Sequence, residues 1–239
     1  MELTAAAGEA RELEARGLAK AYRRRRGEVH VFSGLDFALA RGEAVAIVGP
    51  SGAGKSTLLN LLGGLDWPTH GQVLHRGLPL PKRGDALAAW RCRSLGFVFQ
   101  FHFLLPDFTA IENILLPARM AGRLDAAARE RARGLLEALG LLPRADHLPG
   151  ELSGGEQQRV AVARAFINRP AVVLADEPFG NLDRNKGEEL SGLLFDLRRR
   201  DGTALVIVTH DRSLAAKADR VLLLSEGQLG PAPAEKGAL

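Results

Sequence analysis

The chain has 239 residues, 46% of them hydrophobic and 25% charged, a composition that excludes a disordered or fibrous chain and suits one large domain or two closely joined lobes. Its net charge of +4 and pI of about 9.6 are mildly basic, but no aromatic residues interleave the basic ones, which argues against a nucleic-acid partner. No apolar run approaches the roughly 20 residues of a membrane span, and no charged start leads into an apolar signal core. The single cysteine, Cys92, excludes an internal disulfide, so a reducing cytosol is the expected setting.

Residues 1–10 are small and polar and are expected to fray, like the Pro/Ala-rich tail over 231–239. Residues 12–22 and 29–40 read as strands, joined by a turn through Arg23-Arg24-Arg25-Arg26. That run and Arg198-Arg199-Arg200 read as solvated turns, with contact to anionic lipid headgroups as the sharper alternative. Ala44-Val45-Ala46-Ile47-Val48 is a short apolar run of buried-strand type, and residues 57–62 can run on as a helix. Residues 71–80 look like a short strand pair, and 85–93 like a short helix. From 109 to 142 the pattern is helical, with breaks near Pro117, Gly122 and Pro143. Residues 171–175 and 204–208 are continuous apolar runs that suit a mostly parallel sheet covered on both faces. Residues 221–229 read as a final hairpin around Glu226-Gly227. The fold class is therefore α/β, with a helical lobe inserted near residues 85–165.

Between the strand at 44–48 and the helix at 57–62 lies Gly49-Pro50-Ser51-Gly52-Ala53-Gly54-Lys55-Ser56-Thr57, a phosphate-loop pattern in its proper strand–loop–helix setting. Glycines there let backbone N–H groups approach phosphates, Lys55 can reach the β- and γ-phosphates, and the Ser56 hydroxyl can hold Mg²⁺. Asp176-Glu177 follows a buried run directly. Alone, the pair reads equally well as a solvated turn or a helix cap. With the phosphate loop present, it reads as a Mg²⁺ ligand, Asp176, and a base for the attacking water, Glu177, beside the end of the loop-bearing strand. Ser153 and Glu156 have capping-box spacing at the head of a helix, and Gly154-Gly155 leave its N–H groups open to a second phosphate contact. In residues 97–106 phenylalanines recur at every second position. An extended segment would place all four on one face, with Phe97 and Phe99 in the core. Phe101 and Phe103 are either locally packed or part of a partner-binding patch.

Leu152-Ser153-Gly154-Gly155-Glu156 with its following helix resembles the signature of the ATP-binding-cassette (ABC) ATPases. The phosphate loop, Gln100, Asp176-Glu177, Asn181-Leu182-Asp183 and Thr209-His210-Asp211 are similar to the family's other motifs, in order, and Tyr22 to its adenine-stacking aromatic. The resemblance implies one nucleotide-binding domain over 11–230. It would comprise a RecA-like phosphate-loop core and an N-terminal antiparallel β-subdomain (about 11–84 and 166–230), with an inserted helical subdomain (about 85–165) and flexible termini. It implies ATP and Mg²⁺ bound in a head-to-tail homodimer. Tyr22 would stack on adenine, and residues 49–57 with Asp176 would hold phosphates and metal. Ser153, Gly154, Gly155 and Glu156 of the second copy would close over the γ-phosphate. Glu177 would be the general base, Gln100 would touch Mg²⁺ and water, and His210 would contact the γ-phosphate and hold Glu177. Asp183 would link the two sites.

Within the family, residues 62–66, 100–102, 104–113 and 180–183 are similar to the lipoprotein-releasing cassettes of the LolD type. That likeness implies a peripheral subunit on the cytoplasmic face of a bacterial inner membrane, docked near Gln100 to Pro106 by membrane subunits of the LolC/LolE type. Cell-division cassettes of the FtsE type and MacB-like export ATPases are the alternatives. Phe179 departs from the pattern, since these cassettes commonly carry Thr there.

Overall fold

The long N-terminal ribbon pairs β1 (Arg11–Arg24) with β2 (Gly27–Ala40) antiparallel. It belongs to a computed structural model that describes residues 11–24, 27–82 and 84–233. Arg25, Arg26, all of residues 1–10 and residues 234–239 of the expected C-terminal tail lie outside those residues. Leu13, Ala15 and Leu18 of β1 and Phe32, Leu35, Phe37 and Leu39 of β2 are buried. The register shifts between Ala15 and Ala21, so β1 bends where one straight alternation could not keep an apolar face inward. β1 also pairs with β4 (His70–His75), which pairs with β5 (Leu78–Pro79), giving the order β2-β1-β4-β5.

The chain divides into two compact units, Met1–Leu80 with Val206–Leu239, and Pro81–Leu205. Beside the ribbon sheet, the first holds β3 (Ala44–Val48), parallel to β9 (Arg220–Ser225), with β10 (Gln228–Pro231) antiparallel on β9. β8 (Ala204–Val208) follows β3 in strand order and belongs to both units, since the division falls within it. All five residues of β8 are buried, as are four of five in β3, which explains their unbroken apolar runs. α1 (Lys55–Leu62) follows β3 and buries Leu58, Leu59, Leu61 and Leu62, and α7 (Arg212–Ala215) follows β8.

In the second unit β6 (Leu95–Phe99) runs parallel to β7 (Val172–Asp176). Five helices surround them: α2 (Asp85–Ser94), α3 (Ala110–Met120), α4 (Ala126–Ala138), α5 (Gly154–Phe166) and α6 (Arg184–Asp201). Four of the five are started by a side-chain acceptor, from Thr109, Asp125, Ser153 and Asp183, so the sequence marks their starts locally. α5 packs on α3 and β6 and buries most of its length. Among the described residues, no helix is long and apolar enough to cross a membrane.

Three expectations need correction. α3 runs through Pro117 rather than breaking there, although a proline at that position supplies no N–H to the Asn113 carbonyl one turn back, and the helix ends three residues later. The strand carrying Phe97 and Phe99 ends at Phe99, so the phenylalanine series does not continue as one extended segment, and these two residues are half-buried rather than core. The alternate residue Val98 faces inward and is fully buried. Arg198-Arg199-Arg200 is not a turn but the last turn of α6, where positive charge complements the helix dipole. Just past β8, Thr209 N donates to Ile47 O at 3.2 Å.

Arg131 of α4 ties the ends of α5 and α6 together. It donates to the Ile167 and Phe166 carbonyls that terminate α5, at 2.9 and 2.7 Å, and pairs with Asp201 at the end of α6. Both side chains are largely buried, at 13% and 7% exposure. Arg131→Met would leave the Asp201 carboxylate buried without its main counter-charge, at a cost of about 3–5 kcal/mol. Urea denaturation is the measurement, and Arg131→Met/Asp201→Asn should recover part of the loss.

Candidate active site

Where β3 ends, the backbone turns through conformations only glycine adopts easily. Gly49 has φ +153°, and a Cβ there would stand 2.1 Å from the Leu224 carbonyl oxygen; Gly54 has φ +97°, and its Cβ would meet Val31 Cγ1 at 2.4 Å. Gly54 is the N-cap of α1, which has no side-chain cap and no acidic residue in its first turn. Unlike the capped helices, α1 therefore offers its first N–H groups to an outside acceptor. Lys55 Nζ donates to the Gly49 and Pro50 carbonyls at 2.9 and 3.0 Å, which holds its charge over the loop. Ser51 and Gly52 of the loop and Ser56 in the first turn of α1 are exposed, with Ala53 and Thr57 half-exposed. A cleft of about 820 Å³ beside it is lined by residues 29–33, 50–53 and 225–228. Glycine-lined backbone, an uncapped helix and a poised ammonium fit a polyphosphate. No cluster of three or more His, Cys, Asp or Glu side chains suited to a metal occurs among the described residues. A divalent ion here would therefore depend on a nucleotide's own phosphate oxygens, the usual manner of Mg²⁺.

Tyr22 lies in β1, 39% exposed, and its Oη donates to Asp66 Oδ2 at 2.7 Å. His210 is the second residue past β8 and is exposed, and the next residue, Asp211, caps α7 through Ser213 N and Leu214 N.

In the second unit Asp176 ends β7, and Glu177 follows at φ +43°. A left-handed glutamate is a strained backbone of the kind that clusters at functional sites. Gln100, just past β6, forms a reciprocal pair with Asn181: Gln100 Nε2 donates to Asn181 Oδ1 at 3.0 Å, and Asn181 Nδ2 to the Gln100 carbonyl at 3.1 Å. Asp183 is exposed and caps α6, and bonds from Lys186 hold its carboxyl below the usual carboxylate range. Phe179 is buried against the turn of α6 at Gly187, which gives it a packing role.

Ser153 and Glu156 form the capping box their spacing predicts: Glu156 N donates to Ser153 Oγ at 3.3 Å, and Ser153 N to Glu156 Oε2 at 2.8 Å. Ser153 and Gly154 are exposed. A Cβ on Gly154 would meet nothing within 4 Å, and one on Gly155 only ordinary contacts at 3.9 Å, so nothing inside the chain demands glycine at either position.

Residues without an assigned role in the sequence hold these parts together. The buried Gln158 of α5 donates from Nε2 both to the Phe99 carbonyl, at 3.1 Å, and to the Pro178 carbonyl. It thus joins the residue before Gln100 to the residue after Glu177. Arg164 donates to the His102 and Phe103 carbonyls, each at 2.7 Å. His102 Nε2 lies 2.8 Å from the Gly154 carbonyl, an acceptor, so this nitrogen carries the proton. The one local signal was a buried glutamine on an otherwise apolar helix face.

Burial and, secondarily, the Arg164 charge hold the His102 pKa below its ordinary value. The unfolded chain therefore binds a proton at His102 first as pH falls through about 6.5, and folded stability is lost below that point. His102→Gln retains a donor for Gly154 and removes the titration. The slope of unfolding free energy between pH 7 and 5, measured by denaturant titration, should become shallower.

The sequence profile of the ABC transporter family matches residues 32–180. The lipoprotein-releasing system ATP-binding protein LolD of Idiomarina loihiensis is 50% identical over 218 residues, 91% of this chain and 96% of its own length. Its counterpart in Xanthomonas oryzae is 53% identical over 218 residues, 91% and 89% of the two chains. That of Bacteroides fragilis is 52% identical over 204 residues, 85% and 94%. Among solved structures, the dimeric bacterial ABC transporter cassette MJ0796 superposes with a TM-score of 0.83 at 38% identity, covering 91% of this chain and 96% of its own. The same cassette in a post-hydrolysis state bound to ADP and Pi gives 0.83 at 36%, covering 93% and 100%. A glycine cradle on an uncapped helix, a strained glutamate after a buried strand and a capped, open signature turn thus occur in a chain that belongs to the ABC transporter family, as its ATP-hydrolysing cassette.

Proposed function

We propose that this cassette is the motor subunit of a lipoprotein-releasing complex and works as a head-to-tail pair on the cytoplasmic face of a bacterial inner membrane. The observation that carries the paired arrangement is the signature turn. Ser153 and Gly154 are exposed, and Gly154-Gly155 is steric freedom that the chain itself does not use. Such freedom has a purpose when a second copy's nucleotide lies against the head of α5, where the helix dipole favours its terminal phosphate. The release function is supported by relatives at 50–53% identity that carry that name.

In this reading the phosphate loop and Lys55 bind the β- and γ-phosphates, and Ser56, Asp176 and Gln100 are oxygen donors for Mg²⁺. The ion, when bound, neutralises charge that develops on the phosphates. Glu177 accepts a proton from water as the water oxygen bonds to the γ-phosphorus and the bond to the β-phosphate oxygen breaks. The products are ADP and phosphate. His210 orients Glu177 and touches the γ-phosphate, and Asp183 relates the two sites. The Gln100–Asn181 pair keeps the Gln100 amide in a fixed orientation.

Membrane subunits of the LolC/LolE type would dock on the segment after Gln100. Phe101 and Phe103 are 62% and 64% exposed, and Phe103 is backed edge-on by Phe99 at 5.5 Å. Leu105 extends the same exposed apolar segment.

Glu177→Gln should cut ATP turnover by about 10²–10⁴-fold, the usual worth of a general base, and accumulate an ATP-bound dimer by size-exclusion chromatography. Undiminished hydrolysis would overturn the assignment. Tagged in its native membrane with ATP, the same variant should recover membrane subunits with periplasmic domains; a cell-division complex in their place would replace lipoprotein release. Phe101→Ser with Phe103→Ser should reduce that recovery about 10-fold or more while the isolated cassette keeps its ATPase rate.

A further inference from the structure

The phenol of Tyr22 is held from several sides. Its Oη donates to Asp66 Oδ2 at 2.7 Å and also hydrogen-bonds the Thr57 side chain. The Lys20 ammonium stands 4.5 Å from the ring centroid, over one face. Lys20 is itself buried, at 8% exposure, and donates to Asp66 Oδ1 at 2.8 Å and to the Trp67 carbonyl at 2.7 Å. Asp66 is fixed in turn. Its backbone N donates to the Asn60 carbonyl at 3.3 Å, just past the end of α1, and one carboxylate oxygen accepts from Trp67 N at 2.7 Å. Thr57 belongs to the first turn of α1, so the ring is tied to both ends of the phosphate-loop helix.

We infer that Lys20 and Asp66 are positioning residues that lock the Tyr22 ring to α1 and leave its second face ready to stack on a nucleotide base. This rests on the reading of Tyr22 as the adenine-stacking residue. An exposed tyrosine that rotates freely loses side-chain freedom when a base stacks on it, which weakens binding. Here the freedom is already lost: the carboxylate and Thr57 fix the ring's tip, and the cation occupies one π-face with favourable electrostatics. Only the opposite face remains for a second flat partner, and the residue keeps 39% of its surface exposed. Because the ring is anchored to the same helix that binds phosphate, base and phosphate contacts keep a fixed separation.

Calorimetric titration with MgADP and with magnesium tripolyphosphate, which has no base, tests this on intact protein. Tyr22→Phe keeps the ring and removes its anchors, and Lys20→Met keeps the aliphatic stem and removes the cation. Each should weaken MgADP binding about 3- to 10-fold and leave tripolyphosphate within about 2-fold. ATPase assays should show a raised KM with little change in kcat. Since Tyr22 is the chain's only tyrosine, its ultraviolet ionisation reads this environment alone. Asp66→Asn should move that ionisation to lower pH, because the carboxylate's bond and charge hold the phenol up, together with burial, the larger cause. Parental MgADP affinity in Tyr22→Phe and Lys20→Met, with Tyr22→Ala clearly weakened, would overturn the positioning role. Parental affinity in Tyr22→Ala as well would overturn the stacking reading on which it rests. Parallel weakening of tripolyphosphate would assign Lys20 and Asp66 to the shape of the phosphate loop instead.

Discussion

The first turn of α1 carries N–H donors that no side chain of its own satisfies. Most other helices here begin on a hydroxyl or carboxylate cap, whereas this one begins on a left-handed glycine and a lysine folded back onto loop carbonyls. The cost of leaving those donors to solvent is recovered only by an anion with several oxygens, and it links folding to nucleotide. The position of β3 serves that arrangement: its residues are buried so that the loop leaves a rigid strand end. Gly49 permits a backbone approach to Leu224 that any side chain would block.

In the second unit a comparable organising part is played by α5. Its head presents Ser153 and Gly154 to the outside, while its body grips the segments that carry the chemistry. Gln158 joins the carbonyls on either side of the Gln100 and Glu177 turns, and Arg164 with His102 binds the phenylalanine-rich segment to the same helix. A displacement of that exposed segment would therefore be felt at the signature turn through hydrogen bonds within one unit. Burying Gln158 with its amide nitrogen doubly bonded exchanges solvation for geometry, a common use of buried polar side chains.

Much of this was legible in the chain. The apolar runs at 44–48 and 204–208 gave strands because a strand covered on both faces needs no alternation. The Ser153–Glu156 spacing gave a capping box because a cap is set by four neighbouring residues and little else. The phenylalanine series shows the opposite case. Its period-two spacing suggested one extended face, yet the strand ends at Phe99 and leaves Phe101 and Phe103 outside. Nothing in the alternation itself marks where pairing with β7 stops.

The sequence by itself determined the nucleotide chemistry and the family, because phosphate binding uses backbone donors and a few side chains contiguous in the chain. Tertiary structure alone decided how the single functional side chains are held. Tyr22 meets Asp66 across 44 residues, Gln100 meets Asn181 across 81, and Gln158 reaches Phe99 across 59. Such bonds are made by strand order and helix packing, which bring together residues that no local period or propensity relates. The physical reason is range. Caps, turns and glycine loops are fixed by neighbours a few bonds away, whereas the orientation of a stacking ring or a catalytic amide depends on partners that only the folded chain supplies.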